Sequence, residues 1–341
     1  MRRFLKISPL LILLVWSAAL LGGSLTKTGT TSAQFLKIQV GARAVGMGGA
    51  YVALADDISS IYWNPAGLAR LEGQGAINFV YSNWLADTKF NFAASALKAG
   101  DFGTIGVSIT ALTMPDMEVR NEFEPEGTGE YFSAMDMALG ISYARKLTDR
   151  FSMGFNAKYI LEKIWHMSAS TFAFDIGLLF QTSADWLVLG ISVSNFGSKM
   201  KYTGKDAFVY YDFMPDQYGD SEHIFANLQT DQWELPLIFR FGLAAEIIND
   251  EYHAFTAALE MRHPNDNTES VSLGVEYGFL KRFYLRMGYQ ALFEQDSEKG
   301  ITAGAGFVYY LSPQMPLHLD YAYADWNRLT AVHRFSIEIN F

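Results

Sequence analysis

The residues best placed to do chemistry in this sequence are charged side chains in segments where apolar and polar residues alternate, so that polar residues recur at every second position. Successive side chains of a β-strand point to opposite faces, so charges at this spacing would share one face. On the inner face of a closed sheet, they could form ion pairs or select a charged solute. We favour a structural network of ion pairs over a solute-selective pore. The predicted network contains Lys158, Asp175, Arg240, Glu246, Glu260, Arg262, Glu276, Arg286, Asp320 and Arg334.

Patterns for catalysis or metal binding are weak elsewhere. The six histidines are scattered and lack the spacing of metal ligands. His318 and Asp320 share a predicted strand face, but no serine completes a triad beside them. The run from Gly46 to Gly49 is not followed by the lysine of a phosphate-binding loop and does not follow a strand. We therefore expect no catalytic activity, no bound metal and no cofactor.

The elements that must position these charges follow an alternating pattern. From about residue 75 to the final Phe341, segments of roughly ten alternating apolar and polar residues are separated by turns. In the segment 151–163, apolar residues occupy one parity and mostly polar residues the other. This pattern is typical of a transmembrane β-barrel, whose wall faces lipid outside and a polar lumen inside. Composition alone, with 50% hydrophobic and 15% aromatic residues, would also allow a soluble β-sandwich.

The predicted connections between strands alternate in length, which favours the barrel. The odd-numbered connections include the longest, 114–133 and 198–234, and the even-numbered ones are short turns. Outer-membrane barrels have even strand numbers, short periplasmic turns and longer outside loops. We therefore predict an all-β membrane protein: a 14-stranded antiparallel transmembrane β-barrel with a small N-terminal plug, in the cell outer membrane of a Gram-negative-type bacterium. The predicted strands are 75–83, 88–99, 102–113, 134–147, 151–164, 170–181, 186–197, 235–247, 252–262, 269–277, 282–292, 300–311, 315–325 and 330–341.

Aromatic residues mark the predicted strand ends. Tryptophan is typical of the girdles at the two membrane interfaces. The last predicted strand alternates and stops on Phe341, which resembles the C-terminal assembly signal of outer-membrane barrels. The expected partners therefore include outer-membrane lipid and the barrel-assembly machinery. The tryptophans at predicted strand ends are Trp84, Trp165, Trp186, Trp233 and Trp326.

The N-terminus has the features of a secretory signal. A positive region is followed by the apolar core Leu10 to Leu21, which is too short to span a bilayer. Small residues before Gln34 predict a signal peptide of residues 1–33, with an earlier cut near residues 22–24 as an alternative. Its removal takes away four of the 26 basic residues and none of the 36 acidic ones, which leaves a net charge of −14. This balance disfavours nucleic acid as a partner.

Residues 34–72 do not alternate, and we predict that they form a plug inside a barrel of residues 73–341. Asn64 followed by Pro65 suits a helix N-cap with proline at the first helical position. The small residues before them allow close backbone packing. A periplasmic tail is the alternative. The predicted plug motif contains Gly41, Arg43, Gly46, Gly48, Gly49, Asp56, Asp57, Asn64, Pro65 and Gly67.

The run from Gly41 to Ala69 resembles the N-terminal signature of the PorV/PorQ family, which is related to the FadL-like fatty-acid transporter barrels. The stretch from Asn64 to Gly67 is shared with the FadL-like group, and the stretch from Gly41 to Asp57 is more particular to PorV/PorQ-type proteins. The resemblance implies a 14-stranded barrel with an N-terminal hatch. For PorV-like proteins it implies an accessory role in type IX secretion, and for FadL-like proteins passage of hydrophobic molecules through the lumen.

The long predicted loop 198–234 is rich in aromatic residues, which is typical of binding surfaces. We expect a secretion translocon or exported cargo to bind there. A lid folded into the barrel mouth is the alternative. The predicted partner loop contains Tyr202, Phe208, Tyr210, Tyr211, Phe213 and Tyr218.

Overall fold

The computed structural model describes residues 27–213, 216 and 224–341. Most of the predicted signal segment, and Tyr218 of the predicted partner loop, lie outside these residues. Fourteen long strands of the described chain form one closed antiparallel sheet, which confirms the predicted fold class. The strands are β1 (Gly75–Asn83), β2 (Lys89–Lys98), β3 (Thr104–Thr113), β4 (Ala134–Lys146), β5 (Phe151–Ile164), β6 (Met167–Gln181), β7 (Leu187–Gly197), β8 (Ile238–Asn249), β9 (His253–Pro264), β10 (Ser270–Phe279), β11 (Phe283–Leu292), β12 (Ile301–Ser312), β13 (Met315–Ala324) and β14 (Val332–Asn340).

The barrel is a simple meander, because every strand pairs with its neighbours in sequence and β14 closes onto β1. Closure leaves no sheet edge, so the backbone donors and acceptors of the wall are paired without water. At the seam, the carbonyl oxygen of Phe341 accepts hydrogen bonds from the amides of Gln74 (2.5 Å) and Gly75 (2.8 Å). Phe341 is thus part of the closed ladder.

Strand boundaries lie within about three residues of the predicted ones. The eighth strand begins at Ile238 rather than at residue 235. Pro236 has no amide hydrogen to donate to a ladder, and its carbonyl oxygen instead accepts from Asn195 Nδ2 at 2.9 Å.

The wall has the two faces that the alternation predicts. Large apolar side chains point outward and are exposed, among them Phe79, Ile141 and Phe172. The opposite parity carries glycines and the charged residues, most of which are buried. Within the described residues, no helix is both long and apolar enough to cross a membrane.

We call the end of the barrel with the long connections the outer mouth, and the end with the short turns the inner mouth. The outer connections carry small elements of their own. A two-residue ladder joins Met117–Glu118 to Tyr131–Phe132, and Thr203–Gly204 pairs with β6. A hairpin joins Phe208–Tyr211 to Ile224–Asn227.

Two of the tryptophans predicted for the membrane girdle point elsewhere. Trp84 and Trp326 contact each other edge to face, with ring centroids 5.2 Å apart, and line the lumen at the outer mouth. Trp165, Trp186 and Trp233 are exposed. Strand-end position alone therefore did not decide which side of the wall a tryptophan faces.

The lumen is occupied by residues 31–71, which we call the plug segment. It begins at the outer mouth, where the Ser32 amide donates to the Glu234 carbonyl oxygen at 2.9 Å. It then runs through the barrel and joins β1 at the inner mouth. Its helices are α1 (Ala42–Gly46) and α2 (Ser60–Trp63), with 3₁₀ turns at Gln34–Lys37 and Pro65–Arg70. Further 3₁₀ turns lie in connections at Leu85–Asp87, Gly100–Phe102, Lys205–Ala207 and Asn327–Leu329.

Glycines on the inner wall mark where the backbone of the plug segment meets the barrel. A Cβ added to Gly154 would overlap the backbone of Pro65 and Ala66. A Cβ on Gly274 would overlap the Met47 carbonyl group, and one on Gly288 the Gly48 amide. These positions accept no side chain, since the two backbones already touch there.

We predict that Gly154→Ala displaces the 3₁₀ turn Pro65–Arg70 from the wall. Overpacking typically destabilises by about 1–3 kcal/mol, and backbone cannot yield as a side chain would. Hydrogen exchange should show reduced protection of residues 66–71 in the variant. Gly300→Ala is the matched control, because nothing lies within 4 Å of its added Cβ. Equal protection in both variants would contradict the close contact.

Candidate functional site

Asn64 joins the plug segment to itself and to the wall. Its Oδ1 accepts from the Ala66 amide at 3.2 Å, which caps the following turn, and Pro65 occupies the first position of that turn. Its Nδ2 donates to the carbonyl oxygens of Val52 at 2.8 Å and Leu178 at 3.0 Å. Leu178 lies on β6, so the buried side-chain amide of Asn64 makes hydrogen bonds to the 3₁₀ turn, to another part of the plug segment and to the barrel wall.

Arg43 connects the plug segment to the opposite wall. Its Nε and Nη2 donate to the two carboxylate oxygens of Glu276 at 3.0 and 2.9 Å, and its Nη1 donates to Asp56 at 2.7 Å. Burial acts to lower the pKa of Arg43, but the Asp56 and Glu276 carboxylates raise it well above its usual value. Arg43 therefore stays charged, and a bidentate pair of this kind fixes orientation as well as position.

Two residues of the wall, Arg286 and Asp320, extend the ion pairs made by Arg43. Arg286 lies directly across the ladder from Glu276 and donates to it at 2.5 Å, and also to Asp320 at 2.5 Å. Glu276 is thus shared by Arg43 of the plug segment and Arg286 of the wall. We call Arg43, Asp56, Glu276, Arg286 and Asp320 the plug-anchoring cluster.

A second carboxylate binds plug backbone directly. Glu260 Oε2 accepts from the amides of Tyr51 at 3.0 Å and Val52 at 2.9 Å, and its other oxygen lies 3.5 Å from Arg240 Nε. The Arg240 guanidinium lies over the rings of Tyr62 and Trp63 of α2, 5.5 and 5.6 Å from their centroids. This pair therefore holds two parts of the plug segment.

The other predicted lumen charges fall into separate environments. Lys158 pairs with Asp175 at 2.8 Å within the wall, and Arg262 pairs with Glu294 of an outer loop at 3.2 Å. Arg334 is buried beside aromatic rings. Glu246 is exposed at a bulge near the inner mouth, so the structure leaves it outside the buried network.

The remaining glycines of the plug motif allow close packing, whereas Asp57 accepts hydrogen bonds. A Cβ on Gly67 would overlap the Ala55 carbonyl oxygen, and one on Gly49 would overlap the Gln39 side chain. Gly41 precedes α1 with φ +86°. Gly46 of α1 lies against Gly304 of β12. Asp57 accepts from the Tyr51 hydroxyl at 2.5 Å.

Asp266 anchors the plug segment although the sequence analysis did not single it out. The Asp266 carboxylate accepts from Thr31 at 2.6 Å, Gln34 at 2.9 Å and Lys37 at 2.9 Å. Burial acts to raise its pKa, but the hydrogen bonds from Gln34, Thr31 and Lys37 hold the pKa below its usual value of 3.8. One buried carboxylate thus fixes the start of the plug segment to the outer loop 265–269.

The predicted partner loop divides into two parts. Tyr202 turns inward and donates its hydroxyl to Glu162 at 3.1 Å, so it does not belong to an outer surface. Phe208, Tyr210, Tyr211 and Phe213 are 44–73% exposed on or beside the hairpin of residues 208–211 and 224–227. The Phe208 and Phe225 rings stack with centroids 4.7 Å apart. The described part of the hairpin therefore exposes aromatic surface.

The closed wall, the apolar outer face and the filled lumen define a β-barrel of the outer-membrane type with an internal plug. A family model described as "Type IX secretion system protein PorV" matches residues 24–218. The chain therefore belongs to the PorV family, which confirms the resemblance in the sequence of the plug. No curated protein matches the chain.

Solved structures show the same fold at low sequence identity. The CymD monoaromatic hydrocarbon channel matches with a TM-score of 0.54 and 12% identity over 89% of this chain and 96% of that one. The Pseudomonas putida toluene transporter TodX matches with a TM-score of 0.54 and 10% identity over 88% of this chain and 96% of that one. A Pseudomonas aeruginosa FadL homologue matches with a TM-score of 0.52 and 11% identity over 88% of this chain and 97% of that one. These barrels confirm the FadL-like relation of the fold.

We predict that Arg43→Gln loosens the plug segment. The change leaves Asp56 without its cation and Glu276 with Arg286 alone, and loss of one partner of a partly buried pair should destabilise by on the order of 2 kcal/mol. Planar-bilayer recordings should show more frequent conductance events than the wild type. Arg282→Gln, at an exposed position near the inner mouth, is the control. Conductance identical to wild type would argue against anchoring by Arg43.

We predict that acid releases the start of the plug segment. A carboxylate whose pKa is lowered by folding stabilises the folded state above its usual pKa, and this contribution is lost as pH falls through the lowered value. Protection of residues 31–38 against hydrogen exchange should therefore fall below about pH 4. Asp266→Asn should show the weakened protection already at pH 7 and little further change in acid. A wild-type pH response in Asp266→Asn would exclude this carboxylate as the cause.

Proposed function

We propose that this protein is a non-catalytic accessory of type IX protein export, resident in the outer membrane of a Gram-negative-type bacterium. Membership of the PorV family supports a role in type IX secretion, and the closed β-barrel supports a location in the outer membrane. The aromatic hairpin at the outer mouth carries the proposal for the binding surface. Lipid surrounds the wall, and the barrel-assembly machinery binds the terminal strand during insertion.

The hairpin suits a protein partner. Exposed tyrosine and phenylalanine supply large contact area with few rotatable bonds and are enriched in protein interfaces. Tyr210 is 73% exposed, Tyr211 56% and Phe213 64%, and the rings of Phe208 and Phe225 stack on each other within the same hairpin. A secretion translocon or an exported cargo protein would bind this surface from outside the membrane.

The filled lumen is the reason to prefer export over passage of hydrophobic solutes. The plug segment touches the wall backbone at Gly154, Gly274 and Gly288 and is held at Glu260 and Glu276 by polar contacts. A solute path through the described lumen would require these contacts to break. The hydrocarbon channels of similar structure share the fold of this chain at 10–12% sequence identity, and their transported solutes are properties of those proteins.

We predict that the triple variant Tyr210→Ser, Tyr211→Ser and Phe213→Ser loses its partner while keeping its fold. The stacked Phe208 and Phe225 rings and the backbone ladder of the hairpin remain, so the hairpin should persist although Phe225 loses its edge contact with the Tyr210 ring. Affinity purification from native membranes should recover at least tenfold less translocon or cargo, a loss consistent with removal of interface aromatics.

The matched control is Phe123→Ser, which removes an aromatic residue that is 92% exposed on another outer connection. Heat-modifiable migration on gels should be the same for all three proteins and would show that each barrel is folded. Equal recovery by the triple variant and the wild type would refute the hairpin as the binding surface. Recovery with no secretion component in any sample would refute the export role itself.

A further inference from the structure

A cavity of about 340 Å³ lies at the outer mouth, between the plug segment and the wall. Its apolar sides include Phe35 and Ile38 of the plug segment and Trp84 and Trp326 of the wall connections. The cavity is separate from the aromatic hairpin, none of whose residues line it. Mostly apolar concave sites with a few polar groups are typical of small-molecule binding.

Four cationic side chains line this cavity, and three of them have carboxylate partners. Lys37 pairs with Asp266 at 2.9 Å. Arg262 and Lys299 share Glu294 at 3.2 and 3.0 Å. Burial, reinforced by the charge of Arg262, lowers the pKa of Lys299 to about 8, so Lys299 is still mostly charged at neutral pH. The four cations thus face two carboxylates.

Arg334 is the fourth cation, and no carboxylate in the described chain pairs with it. It is 2% exposed, and its Nε and Nη2 have no hydrogen-bond partner. Its guanidinium lies 5.8 Å from the ring centroids of Trp84 and Phe90. Such stacking holds the group in place but satisfies none of its N–H donors. A buried, unpaired charge is strongly unfavourable, so its presence calls for a counterion.

We propose that this cavity binds a small organic carboxylate whose apolar part is an aromatic ring on a short chain, with the carboxylate paired to Arg334. The planar guanidinium matches a carboxylate in two parallel hydrogen bonds. The two indole rings and Phe35 offer faces and edges for an aromatic group. A neutral hydrocarbon would fill the space but leave Arg334 unpaired. The volume is at the small end for ligand sites, which disfavours a long acyl chain.

The test compares one ligand with its neutral analogue. Protein in lipid nanodiscs, free of detergent that could fill the cavity, is titrated calorimetrically with 4-phenylbutyrate and with 4-phenylbutanamide. We expect the carboxylate to bind at least tenfold more tightly than the amide. This comparison uses the wild type and so does not depend on any variant folding. Equal affinity of the two compounds, or binding of neither, would overturn the proposal.

The variant Arg334→Gln tests whether the ligand carboxylate pairs with Arg334. We expect this variant to lose the preference for the carboxylate and to be at least as heat-stable as the wild type without ligand, since the unpaired charge is gone. Arg282→Gln, remote from the cavity, should bind like the wild type. Undiminished binding in Arg334→Gln would overturn the proposal. So would binding only of a peptide with a free C-terminal carboxylate, which would assign the cavity to a polypeptide end.

Discussion

Hydrocarbon offers no hydrogen-bond partner to a backbone amide, and the rest of this structure depends on that constraint. It requires the strands to close on themselves, with Phe341 bonded back to Gln74 and Gly75 at the seam. Closure with fourteen strands in turn creates an interior wider than the wall's own side chains can fill. The plug segment fills that space through contacts with the inner face of the wall.

Filling is achieved by two kinds of contact with different physical roles. Glycines let the backbones of the plug segment and the wall come into direct contact, as at Gly154 and Gly288. Carboxylates and guanidinium groups bridge where the approach is looser, as Arg43 does to Glu276. The bidentate pair fixes the angle of α1 against the wall, which dispersion contacts alone would leave less specified. Close packing and directional pairing therefore act at neighbouring points of one surface.

The two ends of the barrel differ in consequence. Toward the inner mouth, the plug-anchoring cluster binds the plug segment to the strands. At the outer mouth it is tied to a loop by Asp266, and a cavity remains with one unmatched cation. The outer end also carries the aromatic hairpin, on which Tyr211 and Phe213 expose large apolar surface. The unmatched cation and this exposed aromatic surface therefore lie on the same side of the barrel.

The amino-acid sequence was enough to predict the strand number, the two faces of the wall and the Asn64–Pro65 cap, because period-two alternation and capping are local properties of a few adjacent residues. Which charges meet depends on the folded barrel. Arg43 and Glu276 lie 233 residues apart, and no local pattern links them. The same long-range packing turned Tyr202 inward, put Glu246 at an exposed bulge and left Arg334 without a partner. A strand's own periodicity assigns a side chain to a face, but its partner depends on strand stagger and on the path of the plug segment, which only the closed barrel fixes.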